Sequence, residues 1–190
     1  MGSRVGWISG VAGIAIAGAL GSACTLMKSE PAPPCPDVSI IKDAASVTKF
    51  VPGVGRDLID VVYEGKVVNT GGMCEYDVDD ETGAGNLAVE LKLTMELSRG
   101  PANKDRKADV SYFVGITDLE RRVLNKQDFS GVVNFPGNKN RLQWTDEAVF
   151  LDIPLKAGQT GKDFLIFVGF GVTPDQLKFN RTQIEDTRRK

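Results

Sequence analysis

Three cysteines carry the most specific chemistry in this sequence. Cys24 lies near the N-terminus, after a run of small residues, and Cys35 and Cys74 follow it. A cysteine thiol can be acylated, can ligate a metal or can form a disulfide with a second thiol. In an exported chain, an odd number of cysteines leaves one of them without a disulfide partner inside the chain. The residues around each cysteine therefore decide which chemistry we expect.

The residues before Cys24 predict an export signal. Arg4 is followed by an uncharged run over residues 5–20 that is rich in Ala, Gly, Ile and Val. A short positive segment, an apolar segment and small residues at its end are typical of a secretory signal peptide, here residues 1–23. The apolar run is shorter than the about 20 residues that a transmembrane helix needs. An uncleaved membrane anchor is the alternative.

Cys24 and the small residues before it resemble a bacterial lipobox, in which the thiol receives a diacylglycerol and becomes the mature N-terminus. The sequence departs from that pattern at Gly21, where Leu, Val or Ile is usual, and Leu20 lies one position earlier. Ordinary cleavage between Ala23 and Cys24 is the alternative. We predict lipidation of Cys24, and Thr25 in place of aspartate favours the outer membrane over the inner membrane.

Acylation of Cys24 leaves Cys35 and Cys74 as a natural pair. An oxidising periplasm predicts a structural disulfide between them, and two buried thiols are the alternative. A redox-active pair is not indicated, because the sequence has no C-x-x-C spacing. The last residues before the domain are rich in proline and favour an extended polyproline II conformation. The sequence therefore predicts a lipidated tether over residues 24–36.

The acidic stretch over residues 75–81 invites a calcium interpretation, because carboxylates at alternate positions can ligate a hard cation. It does not fit an EF-hand loop, since Thr82 stands where glycine is required and Ala88 where glutamate is required. A solvated hairpin loop is the better interpretation. We therefore predict no metal site at this stretch.

The segment Gly53-Val54-Gly55 contains part of a dinucleotide-binding fingerprint. The third glycine is missing, no Lys-Ser or Lys-Thr follows, and a strand is predicted where a helix would be required. The alternative is a turn in which Arg56 pairs with a nearby carboxylate, Asp57 or Asp60. We predict the turn and no nucleotide cofactor.

The composition narrows the remaining functional classes. The chain contains no histidine, which removes imidazole bases and imidazole metal ligands. The formal net charge of -2 gives no basic bias for nucleic acid, and the basic clusters at 104–107 and 188–190 are typical of solvated surface. We predict no catalytic residues and no cofactor. A carboxylate-dependent enzyme is the alternative.

Residues 87–97 alternate between apolar and polar side chains, which predicts a half-buried antiparallel strand. Similar patterns predict further strands at 38–41, 59–69, 73–78, 110–117, 122–126, 129–135, 141–144, 148–155 and 164–172. Glycine-rich and asparagine-rich turns fall between them, one of them at 70–72. The sequence predicts an all-β, antiparallel β-sandwich over residues 37–181, immunoglobulin-like, with an open barrel as the alternative.

Short helices and a tail complete the prediction. Asp43 precedes alanines in a first helical turn over 43–47, and Thr173 with Pro174 marks the start of a second over 173–177. Residues 182–190 are polar and are predicted to form a mobile tail. The aromatic residues Trp144, Tyr112 and Phe113 are interpreted as core, and a groove for sugars or peptides is the alternative.

Several local patterns together resemble an uncharacterised family of alphaproteobacterial envelope lipoproteins. They extend over nearly the whole predicted domain and comprise Cys35-Pro36, Asp43-Ala44-Ala45, Gly53-Val54-Gly55-Arg56-Asp57-Leu58 with Asp60, Cys74-Glu75-Tyr76, Arg99-Gly100-Pro101, Tyr112-Phe113-Val114, Gly169-Phe170, Thr173-Pro174-Asp175-Gln176-Leu177 and Asn180-Arg181. The resemblance implies an envelope lipoprotein and favours lipidation of Cys24. It implies no activity and no functional residue.

The expected function is a membrane-anchored envelope lipoprotein at the periplasmic face of the outer membrane. Its domain is expected to be a non-enzymatic binding or assembly module, with the membrane as one partner and an envelope protein as a possible second partner. No nucleic acid partner is expected. The alternatives are a carboxylate-dependent enzyme acting on envelope glycans and a calcium-stabilised ligand binder.

Overall fold

The structure, a computed structural model, describes residues 32–53 and 55–189. The predicted signal peptide and Cys24 lie outside these residues. The described residues belong to one compact unit that begins at Ala32. Its strands are β1 Asp37–Ile40, β2 Ser46–Phe50, β3 Val61–Val78, β4 Gly85–Arg99, β5 Lys107–Asp118, β6 Val123–Asn134, β7 Arg141–Thr145, β8 Val149–Leu155 and β9 Phe164–Phe170. Helix α1 spans Pro174–Arg189, and 3-10 turns lie at Lys42–Ala44, Leu58–Asp60 and Gly161–Asp163.

The strands form two sheets. The first has the order β1-β9-β5-β6, and the second has the order β2-β3-β4-β7 with β8 also paired to β4. Strand β4 pairs with two strands along one edge: β8 pairs with its first half and β7 with its second half. Strands β1 and β9 are parallel, whereas the other pairs are antiparallel.

The two sheets share one apolar core. The alternation predicted for residues 87–97 is confirmed in β4, where the apolar positions are buried and the polar positions point outward. Leu87, Met95 and Leu97 have no exposed surface. Burial of each such side chain contributes about 2 kcal/mol to the free energy of folding. The prediction of a mostly β domain built from two sheets is therefore confirmed.

Two tyrosines connect the sheets across the core. Tyr63 of β3 donates a hydrogen bond to the Asp109 carbonyl oxygen of β5 (2.6 Å). Tyr112 of β5 donates to Asp146 Oδ2 (2.7 Å) in the connection between β7 and β8. Both phenol groups are buried but retain a polar partner, as buried tyrosine hydroxyls require.

The predicted turn at 70–72 is wrong, because residues 61–78 form the single strand β3, which joins most of the two strands predicted at 59–69 and 73–78. The glycines there serve a close approach between strands. A β-carbon at Gly72 would lie 2.0 Å from the Glu90 carbonyl oxygen of β4, so only glycine fits. The pairing of β3 with β4 shifts register between Val67 and Asn69 and then continues, so the strand is not interrupted there. The predicted strands at 122–126 and 129–135 are likewise one strand, β6.

The helical predictions were also partly wrong. The first helix is reduced to the 3-10 turn Lys42–Ala44, and β2 follows at once because Val47 is buried in the core. The start of α1 is confirmed, since Thr173 Oγ1 accepts from Gln176 N–H (3.3 Å) and Gln176 Oε1 accepts from Thr173 N–H (2.8 Å). However, α1 continues to Arg189, so residues 182–189 of the predicted polar tail are helical.

Candidate functional site

The predicted disulfide between Cys35 and Cys74 is confirmed. The two Cα atoms are 5.8 Å apart, and the bridge closes a sequence separation of 39 residues. Cys35 precedes β1 of the first sheet, whereas Cys74 lies in β3 of the second. On the chain-entropy model, such a bridge stabilises the folded state by about 4 kcal/mol. The disulfide fastens the start of the domain to the longest strand.

Cys74 lies in a part of β3 that, among the described strands, has a neighbour on one edge only. Strand β2 pairs with β3 only as far as Lys66, and Val67 N–H then donates to the Ala45 carbonyl oxygen (2.9 Å). The remainder of β3 pairs with β4 alone among the described strands. Unpaired edges invite unwanted pairing with other chains, and covering them prevents it. Cys74 itself packs against the core, so the bridge fastens the segment that carries Cys35 to the inner side of this part of β3.

Tyr76 holds the same segment by hydrogen bonds. Its hydroxyl donates to the Pro34 carbonyl oxygen (2.6 Å) and accepts from the Gly161 N–H (2.6 Å). A β-carbon at Gly161 would lie 2.4 Å from the Pro34 carbonyl oxygen, so the turn Gly161–Asp163 packs directly against the tether. We call the group formed by Pro34, Cys35, Cys74, Tyr76 and Gly161 the tether clamp.

Sequence reasoning identified the cysteines of the tether clamp but missed Tyr76 and Gly161. The signal available for Tyr76 was its position two residues after Cys74, because alternate residues of a strand share a face. Its partners are 42 and 85 residues away in the sequence, and no local pattern marks them.

Residues 79–81 of the acidic stretch lie in the loop between β3 and β4, as predicted, whereas residues 75–78 belong to β3. Asp79 Oδ1 accepts hydrogen bonds from Thr82 N–H (2.8 Å), Thr82 Oγ1 (2.8 Å) and Glu81 N–H (3.2 Å). The bond from the Thr82 backbone is the main reason that the pKa of Asp79 lies below its usual value. Gly83 adopts φ +67°, which a tight turn requires of glycine. The Asp79 carboxylate therefore stabilises the turn. Across the described ranges, no three His, Cys, Asp or Glu side chains converge as a metal site would require.

At the glycine segment the chain bends at Pro52 and Gly53, and the partners of Arg56 differ from those predicted. Its Nη1 donates to the Gly53 (3.0 Å) and Gly55 (2.7 Å) carbonyl oxygens, and its guanidinium carbon lies 5.4 Å from the Phe50 ring centroid. The prediction that Arg56 pairs with Asp57 or Asp60 is wrong. Asp60 Oδ2 instead accepts from the Asp57 N–H (3.2 Å), which caps the turn Leu58–Asp60.

Two surface clefts lie away from the tether clamp. A cleft of about 210 Å³ separates the turn around Arg56 from the start of α1 and includes Lys49 and Asp175. A larger cleft of about 420 Å³ lies at the β5–β6 hairpin, where Asp118 and Arg122 form an ion pair (2.6 Å). Desolvation alone would raise the pKa of Asp118, but the hydrogen bonds and charge of Arg122 lower it. Both clefts are lined by charges of both signs.

The three aromatic residues do not form a groove. Tyr112 is buried and stacks on Phe129, with ring centroids 5.0 Å apart. Trp144 is half-buried and packs against the same core. Phe113 lies on the outer face of the first sheet, below Lys126 Nζ at 5.2 Å from its ring centroid. The core interpretation is confirmed for Tyr112 and Trp144.

None of the helices among the described residues is long and apolar enough to cross a bilayer. The fold and the tether clamp together define a mostly β domain of two sheets with a C-terminal helix and a disulfide at its N-terminal boundary.

No family model and no curated protein matches the sequence. One solved structure with limited similarity is the variable domain of the AgI/II polypeptide BspA of Streptococcus agalactiae, at 13% sequence identity. The alignment covers 68% of this chain and 73% of that chain, with a TM-score of 0.16. A TM-score at this level does not indicate a shared fold. The resemblance to envelope lipoproteins stays a prediction.

Proposed function

We propose that this chain is a lipid-anchored envelope protein whose two-sheet domain is a non-enzymatic binding or assembly module. In this proposal Cys24 carries the lipid and residues 25–34 span the distance to the domain. The module would stand at the periplasmic face of the outer membrane. The membrane is one partner, and a second envelope protein is the other.

The tether clamp is the observation that carries the proposal. A disulfide and two hydrogen bonds fasten the N-terminal segment to β3 and to the turn Gly161–Asp163. Disulfides persist in oxidising compartments, which agrees with export. A chain anchored by its N-terminus transmits any pull to the first residues of its domain. Here such a pull reaches β3, the longest strand, through a covalent bond.

The far end of β3 offers a surface for the second partner. Leu58 and Ile59 lie in the turn before Val61 and expose 81% and 73% of their surface. The stretch of β3 from Val61 to Cys74 extends for about 40 Å. An anchor at the tether clamp would therefore leave these two apolar side chains distant from the anchored end. Adjacent exposed apolar side chains favour a protein contact.

The immunoglobulin-like topology predicted from the strand spacing stays a prediction. Two sheets around one core and short connections support the assignment.

Anchorage is tested by fractionating cells that produce the wild-type chain or the Cys24→Ser variant. We expect the wild-type chain in the membrane fraction, released by detergent but not by high salt. The variant should leave the membrane or accumulate unprocessed. A variant that is processed and retained like the wild type would contradict the proposal.

The binding module is tested by placing a photo-crosslinking amino acid at Leu58 or Ile59 in living cells. We expect an adduct with one envelope protein from these positions. The matched control is Lys66, an exposed residue within β3. Equal adducts from Lys66, or none from Leu58 and Ile59 under several growth conditions, would contradict a binding role for this end of the domain.

A further inference from the structure

Strand β6 is an exposed edge of the first sheet. Among the described strands it pairs only with β5, in a continuous register from Asn125 to Asn134 and with an irregularity at Leu124. Its apolar residues Val123, Leu124 and Val132 expose 67%, 54% and 59% of their surface. Long edge strands of this kind are templates for pairing with another strand, unless charges or bulges prevent it.

The backbone hydrogen bonds show which groups of β6 point outward. In an antiparallel pair, residues that exchange hydrogen bonds alternate with residues that do not. Phe135 N–H donates to the Arg106 carbonyl oxygen (2.9 Å), in line with the register of β6 on β5. On the other side of β5, Gly171 N–H donates to the Ser111 carbonyl oxygen (2.9 Å), which gives the same alternation. Even-numbered residues from 126 to 134 therefore turn their N–H and C=O groups away from β5.

This alternation restricts how β6 can pair with β6 of a second copy. Outward-facing residues must lie opposite outward-facing residues, so the two-fold axis passes through a residue and not between two residues. An axis at Lys126 or at Asp128 would place like charges opposite each other, which destabilises a strand pair. An axis at Gln127 places Lys126 opposite Asp128 of the second copy, and Asp128 opposite Lys126 of that copy.

We propose that two copies of this chain pair through β6 in an antiparallel register centred on Gln127. A lysine on an edge strand normally prevents self-pairing, because two copies repel. Asp128 already forms an ion pair with Lys126 in the single chain. In the proposed register the two charges form complementary pairs between copies, and each sheet continues into the other.

The opposite face of β6 is compatible with this register. Phe129 is half-buried and stacks on Tyr112, while Asn125 is exposed. The register places Asn125 opposite Phe129 of the second copy, so the exposed edge of the Phe129 ring would be covered. Gln127 meets Gln127 of the second copy, and their amide groups can form hydrogen bonds with each other.

The test uses the full chain in its native membrane and a cysteine at the axis. Opposed residues at a non-hydrogen-bonded position have Cα atoms about 4.5 Å apart, within the range of a disulfide. We expect Gln127→Cys to form a disulfide-linked dimer under mild oxidation. The matched control is Ser130→Cys, because residues 130 of the two copies would lie about 20 Å apart along the strands. It should give at least about tenfold less dimer.

The charges are tested in the same background. Lys126→Asp in Gln127→Cys places like charges together and should lower the dimer yield about fivefold or more. Adding Asp128→Lys restores opposite charges and should restore the yield. The inference is overturned if both cysteine variants crosslink equally, or if the charge exchange does not restore the dimer. Crosslinking of Gln127→Cys to a different protein alone would also overturn it and would assign the edge to that protein.

Discussion

Tyr76 is half-buried, and its hydroxyl has a larger structural role than the packing of its ring suggests. Its hydroxyl joins the tether to the turn Gly161–Asp163 by accepting one hydrogen bond and donating another. The disulfide closes the same contact two residues earlier. The two features therefore hold one segment together, and their contributions to stability should depend on each other.

We expect Tyr76→Phe to lower the free energy of unfolding by about 1–2 kcal/mol, because the Gly161 N–H and the Pro34 carbonyl lose their partner. Urea denaturation measures this change. In a Cys35→Ser/Cys74→Ser background the effect should be smaller, since a released tether no longer needs the hydroxyl. Equal effects in both backgrounds would show that Tyr76 and the disulfide act independently.

The buried phenol of Tyr63 should make the free energy of unfolding depend on pH above about pH 10. Burial, and then the charge of Asp109, raise the pKa of Tyr63 from 10.0 to about 12. The folded state thus holds the phenol proton more tightly than the unfolded state. This contribution is complete below about pH 10 and is lost as the pH rises towards 12.

The measurement is the free energy of unfolding from pH 9 to pH 12 for the wild type and Tyr63→Phe. The wild type should lose about 2 kcal/mol more than the variant over this range. Parallel curves for the two proteins would contradict the assignment of this change to Tyr63.

At the residue scale, the disulfide was predictable because the sequence has only three cysteines and one of them, Cys24, was predicted to carry a lipid, which leaves one pairing. The partners of Arg56 were not, since backbone carbonyls carry no signal in the side-chain sequence. Arg56 donates to Gly53 and Gly55, and the position of those oxygens depends on the backbone conformation of the turn. The role of Gly161 could not be predicted for the same reason, because it contributes a backbone N–H and no side chain.

At the element scale, β3 shows how a glycine pair can be misinterpreted. Gly71 and Gly72 are typical of a turn, but here they lie inside a continuous strand. A β-carbon at Gly72 would collide with the backbone of β4, whereas one at Gly71 would meet nothing within 4 Å. Only Gly72 is therefore required by the packing of the two strands, whereas Gly71 is not.

We expect Gly72→Ala to destabilise the fold by about 1–3 kcal/mol, because the carbonyl of Glu90 is backbone and cannot move away without shifting β4. Gly71→Ala is the matched control and should change stability by less than about 0.5 kcal/mol. Thermal denaturation of both variants gives the comparison. A fold that tolerates both changes equally would contradict the close approach of β3 and β4 at Gly72.

Strand β4 was predictable from its alternation, because one of its faces is buried along its full length. Helix α1 was predicted too short because most of its length lacks such an alternation of apolar and polar residues. Beyond Arg181 it has no apolar period, and polar contacts near this point help to attach it to the domain. Buried Asn180 Nδ2 donates to the Asp43 (2.9 Å) and Ser46 (2.8 Å) carbonyl oxygens. Periodicity detects apolar faces and does not detect such contacts.

At the scale of the whole molecule, local patterns predicted a mostly β domain but not the order of its strands. The parallel pairing of β1 with β9 joins the two ends of the domain. The tether clamp likewise joins residues from the first, middle and last thirds of the chain. Contacts between such distant residues depend on which sheet each strand enters, and strand composition does not encode that choice.

The proposed anchorage also belongs to this scale, because it relates the N-terminus to the entire domain. The lipid on Cys24 and the disulfide have distinct effects on the mass of the chain. The most direct test is therefore the intact mass of the chain extracted from membranes and kept unreduced. We expect an N-terminus at Cys24 that carries a diacylglycerol, with the mass lowered by one hydrogen molecule for the bridge between Cys35 and Cys74. An N-terminus at another residue, or Cys24 without lipid, would contradict the proposal.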